Sequence, residues 1–239
     1  MFSAMATIGK VDIGCKANIR HWHAMFDSLT QDQMPRRLFQ LFWGLSLYGL
    51  CMAMMLRAGL GLDPWDVLHQ GLAGRTGISI GMLVNLVGLI VLIGWIPLRQ
   101  RPGLGTIANV LVIGTAMDLA LAVLPQVHGL PERVGLLVLS ILLNGVAAAA
   151  YIGAGLGPGP RDGLMTGLCA RTGWPVKYVR TSIELIVLAS GWLLGGTVGV
   201  GTLAYAFGIG WLVHHMLPYF TIAARPGPPV LERPCDNAA

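Results

Sequence analysis

The sequence predicts an all-α integral membrane protein of about six transmembrane helices, arranged as two inverted three-span repeats. Three observations predict it. First, 54% of the 239 residues are hydrophobic and 11% are charged, against about 25% charged in ordinary soluble domains. Second, six apolar runs follow one another at 38–56, 78–98, 104–124, 134–153, 178–196 and 200–220. Each is close to the ~20 residues that cross ~30 Å of hydrocarbon. Third, the segment AGLGLDPWDVLHQGLAGRTG at 58–77 returns as AGLGPGPRDGLMTGLCARTG at 154–173, with twelve of twenty positions identical. The offset of 96 persists downstream, where GLGTIA at 103–108 faces GVGTLA at 199–204. The chain is therefore two copies of one unit, and a repeat of this kind governs the fold.

Residues 1–33 carry no apolar run of signal-peptide type, and Met34 with Arg36 and Arg37 makes a more natural start. They are expected to be a disordered or mis-assigned N-terminal extension, with a histidine-containing regulatory arm as the alternative. Copy 1 then occupies 34–125 and copy 2 occupies 130–222. Within each, the repeated segment holds a stretch of only twelve residues, 64–75 and 160–171, which as a helix reaches about 18 Å and cannot cross. Each begins with proline, favoured in a first helical turn, and holds an aspartate two residues on, near the positive end of the helix dipole. These are expected to be short re-entrant or interfacial helices. Arg75-Thr76-Gly77 and Arg171-Thr172-Gly173 read as helix stops. Residues 223–239, with Pro226, Pro228, Pro229 and Pro234, read as a disordered cytoplasmic tail.

Basic residues set the orientation. In a six-span arrangement thirteen lysines and arginines fall on one side, and only Arg57, Arg75 and Arg133 fall on the other. Both termini are then cytoplasmic. The same bias accounts for the net charge of +5 without nucleic acid, for which no basic stripe or base-stacking pattern exists. Three spans per copy is an odd number, so the second copy enters the membrane upside down. Asp66 is expected towards the outside and Asp162 towards the cytoplasm.

The motifs at 47–50 (LYGL), 58–71 (AGLGLDPWDVLHQG) and 101–106 (RPGLGT) resemble those of the YczE/YyaS/YitT group of bacterial integral membrane proteins. The similarity runs over about 34–222. It implies a multi-pass membrane protein from a largely uncharacterised group, grouped in part with small-molecule exporters. It brings no catalytic residues with it.

Ionisable groups inside apolar spans cost about 2.5–3.5 kcal/mol on insertion scales, so each calls for a reason. Asp118 and His214 occupy equivalent positions in spans three and six. They form either a proton-coupling acid–imidazole pair or two groups reaching the interface. Glu184 sits four residues after Arg180, which makes it either half of a helix-surface ion pair or a proton or cation site. Asp66 and Asp162 are held by both copies, as helix-terminus carboxylates or as ligands at a carrier's broken helices. Asp63, facing Gly159 in the other copy, reads as loop chemistry. Asn85, Asn109 and Asn144 suit hydrogen bonds between helices, and Gly103, Gly114, Gly199 and Gly210 suit close helix packing.

The four cysteines show no CxxC or CxxH spacing, and His214 and His215 are adjacent, so neither a metal nor another cofactor is expected. GxSxG, HExxH and a phosphate-cradling loop are all missing, and no enzyme activity is expected. The expected function is a small secondary transporter or exporter of a small molecule, exchanged with protons between the repeats. The alternative is a non-transporting membrane protein that scaffolds or regulates a partner. Expected partners are the bilayer, a small-molecule substrate and a second copy of the chain.

Overall fold

A computed structural model describes residues 33–222; the expectations for the N-terminal extension and the C-terminal tail lie outside the described residues. Among the described residues eight helices follow in order: α1 Met34–Ala58, α2 Pro64–Thr76, α3 Ile80–Trp95, α4 Leu104–Val123, α5 Leu130–Gly153, α6 Pro160–Thr172, α7 Val176–Leu193 and α8 Val200–Phe220. Among the described residues there is no strand. Helices α1–α4 and α5–α8 start at positions 96 apart, element for element.

The short helices form for the reasons their sequences give. Pro64 and Pro160 occupy the first turn, and both helices stop at a left-handed glycine, Gly77 (φ 73°) and Gly173 (φ 71°). Glycine supplies that conformation without the Cβ clash other residues meet.

Among the described residues four helices, α1, α4, α5 and α8, are long and apolar enough to cross a membrane; α2 and α3 together make a fifth candidate, bent by 115°. The six apolar runs thus divide unequally. Helix α3 has only 16 residues, about 24 Å, because the run expected over 78–98 leaves the helix after Trp95 and closes in a turn around Pro97 and Arg99. Helix α7 carries Lys177, Arg180 and Glu184 within its 18 residues.

Helix α5 packs on α8, α2 on α7, and α3 on both α4 and α6. Contacts between the copies are reciprocal. The Gly105 N–H donates to the Leu156 carbonyl, and 96 residues away the Gly201 N–H donates to the Leu60 carbonyl, both at 2.8 Å. Arg37 donates to the Ala154 carbonyl at 2.8 Å, and its equivalent Arg133 donates to the Ala58 carbonyl at 2.6 Å. Each arginine thereby satisfies an orphan carbonyl at the C-terminus of the other copy's long helix. Residues i and j meet, and so do i+96 and j−96, as in a self-complementary two-fold contact. One pair is reciprocal in position and not in size. Trp95 lies against Gly163 and donates from Nε1 to the Pro160 carbonyl at 3.0 Å. At the equivalent place the backbone of Val67 and Leu68 packs directly on Gly191.

Candidate functional site

The reciprocal contacts bring the N-termini of α2 and α6 together. Asp63 is the N-cap of α2, accepting the Asp66 N–H on Oδ1 at 2.8 Å. Its other oxygen, Oδ2, stands 3.6 Å from Nη1 of Arg161 in the first turn of α6. That guanidinium also lies over the Trp65 ring, 4.8 Å from its centroid, within cation–π range. Trp65 and Arg161 are themselves 96 residues apart, so each touches its own repeat equivalent. Asp63 has Gly159 as its equivalent, so the two copies build one charge pair between them: acid from the first, base from the second.

A second acid lies one turn into α2. Asp66 is 1% exposed, His69 is 2% exposed, and Nδ1 of His69 lies 3.1 Å from Oδ1 of Asp66. When Asp66 is ionised, a neutral His69 donates from Nδ1 and is left with Nε2 as an acceptor. Asp66 Oδ2 and His69 Nε2 are both buried without a hydrogen-bond partner among the described residues. Buried polar atoms are normally paired, and two unpaired acceptors one helical turn apart are what a proton or a donor-bearing ligand would satisfy. Tyr48, Tyr205 and Asn144 extend the polar centre. The two hydroxyls are 3.2 Å apart, and that of Tyr205 donates to Asn144 Oδ1 at 3.2 Å. Arg161 is within electrostatic reach of Asp63, Asp66 and both tyrosines. One arginine against two buried carboxylates leaves the centre short of positive charge, and buried charges without counter-charge are costly.

The expected site residues separate into three groups. Asp66 is in this centre. Asp162 is on its margin, half-buried, accepting from the Tyr151 hydroxyl at 3.4 Å. Asp118, Glu184 and His214 lie elsewhere. Asp118 accepts from Ser79 Oγ at 2.6 Å and from the Gly81 N–H at 2.8 Å, capping α3. His214 is exposed on α8 with its ring against His215, so no acid–imidazole pair forms between Asp118 and His214. Glu184 accepts from Arg180 Nε at 3.0 Å, an exposed i, i+4 pair.

Asp63, Arg161 and His69 were not singled out by sequence reasoning as site residues. A signal was present: the repeat breaks on either side of the same proline, Asp63-Pro64-Trp65 against Gly159-Pro160-Arg161. An acid unique to one copy and a base unique to the other are complementary if the two prolines meet.

Apolar helices of spanning length around a buried charged centre define a multi-pass membrane protein. The model of a family of unknown function, DUF6198, matches residues 35–218, and the chain belongs to that family. It is similar to an uncharacterized protein of Haemophilus influenzae, 40% identical over 177 residues, which are 74% of this chain and 81% of that protein. It is also similar to the uncharacterized membrane protein YczE of Bacillus subtilis, 34% identical over 161 residues, 66% of this chain and 74% of that one. YyaS, an uncharacterized protein of Bacillus subtilis, is 27% identical over 182 residues, 73% and 89% of the two chains. The expected resemblance to the YczE and YyaS proteins therefore holds. No solved structure matches the chain.

Proposed function

We propose that the protein is a small secondary transporter that exchanges a small molecule for protons across the bacterial cytoplasmic membrane. In this reading α1, α3, α4, α5, α7 and α8 are six spans, the copies are inserted upside down to one another, and both termini are cytoplasmic. The substrate leaves chemically unchanged, so the protein is not an enzyme. The observation that carries the reading is the centre formed by buried Asp63, Asp66 and His69 with half-buried Arg161, built where two short helices meet N-terminus to N-terminus. Broken helices whose positive ends converge between repeats are how carriers of this architecture hold substrates and coupling ions. The unpartnered atoms of Asp66 and His69 are the coupling-proton site, and Arg161 with its Trp65 platform holds the substrate.

The test uses proteoliposomes loaded with the small-molecule fraction of bacterial cytosol. An inward proton gradient is imposed and released solutes are identified by mass spectrometry. The expected result is at least one solute that leaves faster from vesicles with the protein than from empty ones, and no faster than empty with Asp66→Asn. Release profiles identical to empty vesicles would refute transport.

A further inference from the structure

The two copies share contacts at their junction, but their outer helix pairs differ. In copy 1, α3 lies flat on α4. Gly81 and Gly114 pack backbone to backbone, Gly88 approaches Val110, and Asn85 donates to Thr115 Oγ1 at 3.3 Å. Asp118 closes one end through Ser79 and Gly81. In copy 2 the equivalent pair, α7 and α8, forms no such interface. Gly210, the equivalent of the tightly packed Gly114, is exposed, and among the described residues nothing lies within 4 Å of where its side chain would begin.

The chemistry of the two faces follows the same division. On α3, Gly81 and Gly88 pack on α4, and Val84 lies on the same helical face by its i, i+3 spacing from Gly81. At the equivalent positions α7 carries Lys177, Arg180 and Glu184. Lys177 and Arg180 are exposed, as is Thr181 at the position of Asn85; Glu184 is half-exposed. Across the gap α8 presents Gly210 and His214 where α4 has Gly114 and Asp118. Charges facing hydrocarbon are costly. A stripe of three on the face that should meet a neighbouring helix, with that neighbour standing off, is stable if water fills the space. The stripe also leads inward, since Arg180 is within electrostatic reach of Asp162 on the margin of the central site.

We infer that the gap between α7 and α8 is an aqueous vestibule, the route by which polar solutes reach the central site from one side of the membrane. The packed α3–α4 pair is its closed counterpart on the other side. On the exposed α7 face Lys177 and Arg180 outnumber the one carboxylate there, Glu184, and Asp162 lies further in, so the mouth of the gap favours solutes with an anionic group, a carboxylate or phosphate. The inference rests on the membrane-spanning arrangement proposed above. Its test needs no solute, so a failed release assay leaves it standing and a failed vestibule leaves the release assay to be judged separately.

The test is thiol labelling in membrane vesicles of both orientations, with Cys15, Cys51, Cys169 and Cys235 replaced by alanine. Thr181→Cys and Gly210→Cys probe the gap; Asn85→Cys and Val110→Cys, the latter at the buried contact with Gly88, probe the packed pair. The probe is the impermeant reagent (2-trimethylammonium)ethyl methanethiosulfonate. Thiols react as thiolates, which form in water and not in apolar surroundings. The gap positions are expected to react at least about tenfold faster than the packed pair, and from one vesicle orientation only. Gly210→Cys has open space and decides the matter even if Thr181→Cys fails to fold. Equal, slow labelling at all positions would overturn the inference, because lipid or protein would then cover the gap.

Discussion

Asp63 does two jobs with its two oxygens: one caps α2 and the other faces Arg161. The two are separable by substitution. Asparagine caps nearly as well as aspartate, whereas alanine does not cap, a difference of about 1 kcal/mol. Both remove the counter-charge of Arg161, whose side chain is 33% exposed, so the stranded cation costs less than the about 3–5 kcal/mol of a fully buried broken pair. Thermal unfolding in detergent should rank wild type above Asp63→Asn and Asp63→Ala last. Asp63→Asn combined with Arg161→Gln should recover part of the loss. Equal melting of the two single variants would remove the cap from the account. Asp118 offers the contrasting case. Both its oxygens are held by the start of α3, so Asp118→Ala should lose about 1–2 kcal/mol of stability and leave solute release per folded molecule unchanged. A release defect with normal stability would restore it as a proton carrier. At this scale the sequence was only partly informative. Asp66 could be found because both copies keep it. The partner of Asp63 is 98 positions away and comes from the other copy, which no local pattern reveals.

Individual elements were far more legible. The short helices begin at Pro64 and Pro160 and end one residue beyond the expected 75 and 171, because proline and left-handed glycine act locally. Helix α8 spans 200–220, as its apolar run does. Apolarity alone was a poorer guide to where α3 ends, since the run continues through Ile96 and Leu98 while Pro97 and Arg99 turn the chain. The packing of elements turns on contacts that hydropathy cannot show. A Cβ at Gly163 would land on the Trp95 ring, so Gly163→Ala is expected to cost about 1–3 kcal/mol. The same substitution made together with Trp95→Leu should cost far less than it does alone, since the ring it strikes is gone. Additive losses in a double-mutant cycle would show that the two do not meet.

For the molecule as a whole, the repeat supplied the plan: two copies whose helices start 96 residues apart and whose contacts are exchanged. What the repeat could not supply is their inequality, the packed α3–α4 pair against the separated α7–α8 pair. That difference lies in side chains at equivalent positions, Gly81 against Lys177 and Val84 against Arg180, and shows only once the helices are placed. On the proposed six-span reading the chain is small for a carrier, and a homodimer is expected: crosslinking in native membranes should give a dimer band, and monomer alone would remove that prediction. The central claim is that the copies lie upside down in the bilayer around a shared charged centre. Its most direct measurement uses Gly74 and Ala170, exposed equivalents near the outer ends of α2 and α6. Each is replaced singly by cysteine in the cysteine-free background and labelled with an impermeant thiol reagent from each side of the membrane. Gly74→Cys is expected to react only from outside and Ala170→Cys only from the cytoplasm. Labelling of both from the same side would contradict it.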